Sequence, residues 1–357
     1  MLHRITHYAI ALLLSVGLNY QAFAADVPTL SGEFVLESQF EKEVHDSRNN
    51  ERDRLFARAE LASALQLNEH FYIDSVTVLE PVFDATIGEN RFFDDEGVFI
   101  EEIKLNYENG PWGAFIGKFN PAFGIAWDYG RGIWSEDFAE DYEITEKIGL
   151  GGAYQFELAD MGAHRFTFST FFTDTSFLSR SIVQDRSTLK RQDGGASNTE
   201  NFSSYVVSLD GKQVADIKNL SYHLAFRHLG RGVGDVDDEQ GVAANLNYLI
   251  PVSDEWESDL LLELASISHF NGTADDARFY SVSNVNTLYE DWNVTVGYTK
   301  RFIDVASGRD NHDYLLQLSG GYDFRNGITL EAGWRKSREA NVTKDIIGGL
   351  ARYTRAF

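Results

Sequence analysis

Between Phe119 and Glu146 the sequence gathers Asp128, Glu136, Asp137, Glu140, Asp141, Glu143 and Glu146 around a single cation, Arg131. Seven carboxylates against one guanidinium give the segment a formal charge of -6. Held where solute must pass, carboxylates at that density set a barrier that admits cations and turns anions away. Trp127, Tyr129 and Trp134 in the same stretch supply rings able to pack it against a wall. On a solvated outer loop the same acids would touch only water or bridging divalent ions. Length and aromatic content favour the inward placement, with Asp128, Glu136, Asp137, Glu140, Asp141 and Glu143 forming a constriction.

A second set of candidates is cationic. Arg58, Lys104, Lys147, Arg165 and Arg227 fall on the polar parity of their segments, and Lys118 joins them although Trp112, Ala114 and Ile116 share its parity. Opposite an acidic loop such a basic wall would set a transverse field across a lumen. The alternative is simple neutralisation of neighbouring acids such as Glu60 and Glu102. Two more acidic clusters, Asp84, Glu89, Asp94, Asp95, Glu96 and then Asp235, Asp237, Asp238, Glu239, lack the Gly and terminal Glu spacing of a calcium loop. They read as solvated, or as bridging to lipopolysaccharide. No metal site or cofactor is expected. Nine histidines are present, two of them in the signal peptide, and His223 has the inward parity that a hydrolase base would need, but none sits in a local Ser, His or Asp signature.

The elements that must position these residues are strands. Trp292, Val294, Val296 and Tyr298 alternate with Asn293, Thr295, Gly297 and Thr299, and Ile328, Leu330, Ala332 and Trp334 with Thr329, Glu331, Gly333 and Arg335. The same period of two recurs in segments of about ten residues from Leu30 to Phe357, and no stretch sustains a helical period. The apolar face carries aromatics near the segment ends and smaller residues centrally, while the other face carries Lys, Arg, Glu, Gln, Thr and Gly. A soluble sandwich would place its largest rings centrally. A lipid-facing belt with aromatic girdles around a wet interior produces this pattern instead.

Connections alternate between short (66–70, 108–111, 251–255, 289–291, 325–327) and long (43–53, 83–97, 119–146, 174–202, 229–240). Short inner turns and long outer loops predict a transmembrane antiparallel β-barrel, all-β, of about sixteen strands. Fourteen remain possible if 277–288 is not a strand. Residues 25–357 would form this single domain.

Residues 1–24 read as a signal peptide. Arg4 gives a positive start, Tyr8 to Leu18 an apolar run, and Ala22-Phe23-Ala24 a small-x-small cleavage site. No later run approaches the roughly 20 apolar residues of a membrane helix. The chain has 357 residues, no Cys, and a net charge of -24. That charge speaks against nucleic-acid partners, and the missing thiols exclude a disulfide scaffold.

Reading back from the end, Phe357, Tyr353, Ala351, Gly349 and Ile347 share one face. This resembles the terminal strand signal of Gram-negative outer-membrane proteins, which the barrel-assembly machinery reads; Arg355 departs from it. With the sixteen segments, and with Gly117-Lys118-Phe119-Asn120-Pro121-Ala122-Phe123-Gly124, the chain resembles Gram-negative porins, the last run being similar to one in phosphate-selective porins. The resemblance implies a third outer loop folded inward and, often, a homotrimer. It implies localisation in the outer membrane and partners in lipid, lipopolysaccharide, the assembly machinery and small hydrophilic solutes. The expected function is passive diffusion with a cation preference. A substrate-specific channel for a sugar, siderophore or organic acid is the alternative, and an outer-membrane hydrolase the third.

Overall fold

The computed structural model describes residues 28–129, 132–134 and 137–357. The expected signal peptide, Arg131 and the candidate Glu136 lie outside them. Eighteen strand segments form one sheet, of which Arg91–Phe92 and Ile182–Val183 are two-residue pieces in loops. The other sixteen pair antiparallel in chain order.

They are β1 (Thr29–Asp46), β2 (Asp53–Gln66), β3 (Phe71–Pro81) and β4 (Glu96–Asn109). Next come β5 (Trp112–Phe119), β6 (Lys147–Leu158), β7 (Gly162–Thr173) and β8 (Ser204–Lys212). β9 (Leu220–Leu229), β10 (Glu239–Ser253), β11 (Trp256–Ser268) and β12 (Asp276–Leu288) follow. The last four are β13 (Trp292–Asp304), β14 (Asn311–Asp323), β15 (Ile328–Glu339) and β16 (Val342–Ala356). β16 pairs with β1 and closes the ring, with Phe357 and Gly32 exchanging backbone hydrogen bonds at 3.0 and 3.1 Å. Sixteen strands are therefore present, and the doubtful segment 277–288 is one of them.

Burial is inverted relative to a soluble protein. On β13 Trp292, Val294, Val296 and Tyr298 are exposed, while Thr295, Gly297, Thr299 and Arg301 are buried. Apolar residues outside and polar residues inside are stable only when the outer solvent is hydrocarbon. Aromatic pairs mark the rim at the short-turn end, including Trp112 with Tyr154 at 4.5 Å and Trp292 with Tyr322 at 4.8 Å between ring centroids. Amphipathic rings settle at such an interface.

The loops at the opposite end are longest at 82–95, 120–146 and 174–203 and shrink toward the C-terminus. The last of them, Ala340 and Asn341, has φ of 46° and 67°. Two consecutive positive φ values make the tight hairpin turn that matches strand twist. A β-bulge interrupts β4: Val76 faces Glu102 and Thr77 faces Ile100, leaving Glu101 unpaired with β3. The bulge resets the parity, so that Glu101 and Glu102, adjacent in sequence, both turn into the lumen.

Candidate functional site

The loop 120–146 lies inside the barrel against β9–β16 and β1. Its one-turn helix α1 (Ala126–Tyr129) starts with backbone N–H groups that have no intrahelical acceptor. Glu263 of β11 supplies the acceptor, taking Ile125 N at 2.7 Å and Ala126 N at 3.2 Å. The Tyr142 hydroxyl, from the far end of the loop, donates to the same carboxylate. Burial, reinforced by Glu263, pushes the Tyr142 phenol well above its usual range, so it stays a donor. One buried side chain thus ties both ends of the loop to one strand.

Between these ends Trp134 is 1% exposed and sits on Ile346 and Leu350. Its indole donates to Glu41 at 2.6 Å and its backbone N–H to Gln317 at 3.1 Å. Gly348 makes room for the indole, since a Cβ there would lie 2.5 Å from the ring. Asp137 pairs with Arg335, and Asp141 with Arg301, which also binds Asp313 at 2.7 Å and Glu339 at 2.9 Å. Burial holds the Asp141 carboxyl above its ordinary range even though the Arg301 guanidinium pulls it down. Arg227 donates to the Tyr142 carbonyl, pairs with Glu239 at 2.5 Å and stacks over Phe123 at 4.3 Å.

The remaining lumen is a cavity of about 540 Å³. Its lining counts eleven carboxylates, Glu37, Glu60, Glu80, Glu101, Glu102, Glu108, Asp128, Glu140, Glu143, Glu146 and Asp210, against Arg58, Lys104 and Arg165. Tyr72, Phe99, Phe115, Trp127 and Tyr142 add rings.

The candidates from sequence therefore separate into groups. Asp128, Glu140 and Glu143 line the cavity; Asp137 and Asp141 are clamped to the wall by arginines. Arg58, Lys104 and Arg165 also line the cavity, Arg58 at 3.3 Å from Glu80 and Lys104 at 2.6 Å from Glu102. Lys147 lies at the outer end of β6 and donates to Thr173 at 3.1 Å.

Two placements correct the expected basic wall. Lys118 is 1% exposed, with Nζ held by Glu146 at 2.7 Å, Asp174 at 3.1 Å and the carbonyls of Ile100 and Leu178. Its parity is outward, but it sits where β5 ends and the loops bend over it. Arg227 is 2% exposed and lies beneath the acidic loop, not across from it. Arg301 and Arg335 stand under the loop too, and neither was singled out from sequence.

Of the loop acids, Glu239 is the first residue of β10 and pairs with Arg227, while Asp235 accepts Gly195 N at 3.0 Å and Gly232 N at 2.7 Å. Among the described residues no group of three or more His, Asp or Glu side chains is arranged to hold a metal ion. His223 is paired with Asp210 at 2.8 Å. Among the described residues its Nε2 is buried and has no hydrogen-bond partner.

Replacing Arg227 by Gln strands the Glu239 carboxylate, 1% exposed, without its cation. Breaking such a buried pair costs about 3–5 kcal/mol. The expected result is a clearly lower urea midpoint for the refolded barrel, and an unchanged midpoint would show that the pair bears no strain of this kind.

A closed sixteen-strand antiparallel barrel with an apolar outside, a polar lumen and a loop folded into it has the architecture of an outer-membrane β-barrel. No family model matches the sequence, and comparison with curated proteins finds no match. Solved structures do match. A loop L8 deletion mutant of OmpT, an outer membrane protein of Vibrio cholerae, is 12% identical with a TM-score of 0.57, covering 92% of this chain and all of that one. The outer membrane channel DcaP of Acinetobacter baumannii is 13% identical, covers 94% of this chain and 99% of its own, and has a TM-score of 0.56. Pseudomonas aeruginosa OccK1 (OpdK) is 10% identical over 92% of this chain and 99% of its own, with a TM-score of 0.56; a second structure of OpdK contains vanillate. Identities this low establish a shared fold.

Proposed function

We propose that the chain is a porin that passes small hydrophilic solutes across the outer membrane and prefers cations. The observation that carries this reading is the cavity lining, eleven carboxylates against three lining cations, an acidic excess that remains after Lys118 and Arg186 on Glu146 and Arg352 on Glu37 are counted. Fixed charge within about 8 Å of a conduction path is little screened at physiological salt, so a lumen of this composition concentrates cations. The Glu101 and Glu102 pair at the bulge and the loop residues Asp128, Glu140 and Glu143 surround that path from two sides.

Reversal potentials in a KCl gradient test it on the wild type. Cation preference that weakens as salt rises is the expected result, and an anion preference overturns it.

The second reading, a dedicated uptake channel, is favoured by the rigid anchoring of the loop and by the modest free volume beside it. The vanillate bound in one structure with this fold fits the same idea. Saturable block of the current by one solute class at low concentration distinguishes it from general diffusion. A hydrolase would instead show lipid or peptide turnover that disappears on changing His223.

A further inference from the structure

The outward face of the barrel divides into two unlike arcs. From β3 to β11, among the described residues, no exposed outward-facing strand position carries Lys or Arg. From β12 round to β1 the outer thirds of the strands carry Arg278, Lys300, Lys336, Arg338 and Lys42. Three of these pair with acids on neighbouring strands: Lys42 with Asp53 at 3.2 Å, Arg278 with Asp304 at 2.6 Å, Lys336 with Asp345 at 3.4 Å.

The other two differ. Lys300 Nζ lies 4.5 Å over the Phe302 ring, and Arg338 donates to Asn341 at 2.7 Å. Among the described residues neither has a carboxylate partner. They also share one register row, in which Tyr280 faces Lys300, Lys300 faces Tyr314, and Tyr314 faces Arg338. Adjacent strands lie about 4.8 Å apart, which separates the two cations by about 10 Å across a tyrosine. Their long side chains can close that gap on one anion.

Beside this row an outward groove of about 650 Å³ begins at Arg278 and Tyr280 and is floored by Leu224, Phe226, Val242 and Leu264. We propose that one phosphorylated lipid of the outer leaflet is seated across β9–β15, its phosphate between Lys300 and Arg338 on β13–β15 and an acyl chain in the groove over β9–β12. The charge complementarity is specific to this arc: unpaired cations face hydrocarbon here on a chain whose net charge is -24. A cation turned to lipid is costly away from the interface, and a headgroup phosphate at the rim removes that cost. Bulk lipid wets every such barrel, whereas a seat retains one molecule through purification.

Native mass spectrometry of the protein extracted from outer membranes in mild detergent tests this. The wild type is expected to keep one phosphorylated lipid per chain. Each basic residue at a charged membrane surface contributes roughly a five-fold factor, so Lys300→Gln with Arg338→Gln should cut retention about 25-fold. The charge-preserving pair Lys300→Arg with Arg338→Lys should retain the lipid, as should Lys42→Gln on the same rim. Heat-modifiable migration on gels shows that each variant is folded. A wild type that carries no such adduct, or a double Gln variant that keeps it, overturns the seat.

Discussion

Replacing Glu263 by Ala should loosen both ends of the inward loop and raise single-channel conductance with added current noise. The reason is concentration of function in one side chain: Ile125 N, Ala126 N and the Tyr142 hydroxyl all end on its carboxylate. Hydrogen bonds to a charged group are worth about 1.5–3 kcal/mol each. Losing even about 3 kcal/mol of docking energy shifts the ratio of docked to undocked loop by roughly 150-fold. The Arg301 and Arg335 pairs and Trp134 remain, so the loop is loosened at its ends while its middle still touches the wall. Glu263→Gln keeps one acceptor oxygen and should fall between the two. A second readout is independent of current. Arg131 is the only tryptic site between Phe119 and Glu146, so cleavage there should accelerate in the Ala variant. Unchanged conductance together with an unchanged tryptic pattern would show that Glu263 is not the tether.

The second large effect concerns selectivity. Asp128→Asn, Glu140→Gln and Glu143→Gln combined should lower the cation-to-anion permeability ratio several-fold while leaving some cation preference, since eight lining carboxylates remain. A unit charge about 8 Å from the path in water is worth roughly 0.5 kcal/mol. Three such charges change the local cation concentration about tenfold at low salt, and less as salt rises. At Asp137, which is not among the cavity-lining residues, the Arg335 guanidinium cancels the field locally. Deleting that pair together, Asp137→Asn with Arg335→Gln, should leave the reversal potential near the wild-type value. If the triple variant keeps full cation preference, the other eight lining acids set the selectivity, and Asp128, Glu140 and Glu143 do not contribute.

Much of this molecule is legible in the sequence, and the limits follow from physics. Period-two alternation is a local property, so Trp292 to Tyr298 and Ile328 to Trp334 announce which side meets lipid. The closing strand is legible for the same reason, down to Phe357 lying beside Gly32, where a Cβ would meet the ring at 2.6 Å. Parity fails wherever the strand does. The bulge that turns Glu101 inward beside Glu102 leaves no trace in the hydrophobic pattern, and Lys118 keeps outward parity at a strand end that loops have covered.

Apolar residues that face inward, Ile346 and Leu350, make sense only with Trp134 resting on them. Charge counting located the acidic loop, but which of its acids are drawn to the wall depends on Arg301 and Arg335, over 150 residues away. Register, turn and loop docking together make that pairing, and no window of sequence contains it.

The loops fall in length around the ring, from the long segments 82–95, 120–146 and 174–203 to the two-residue turn at Ala340 and Asn341. With 120–146 folded inside, the mouth is a sloping collar, its rampart built by 82–95 and 174–203 and its low sill lying where β15, β16 and β1 meet. A molecule confined to the cell surface, such as a polymer grazing the leaflet, meets the least protein at that sill. Antibodies and phage tail fibres would find their footholds on the rampart, and a solute using the proposed pore would enter over the sill.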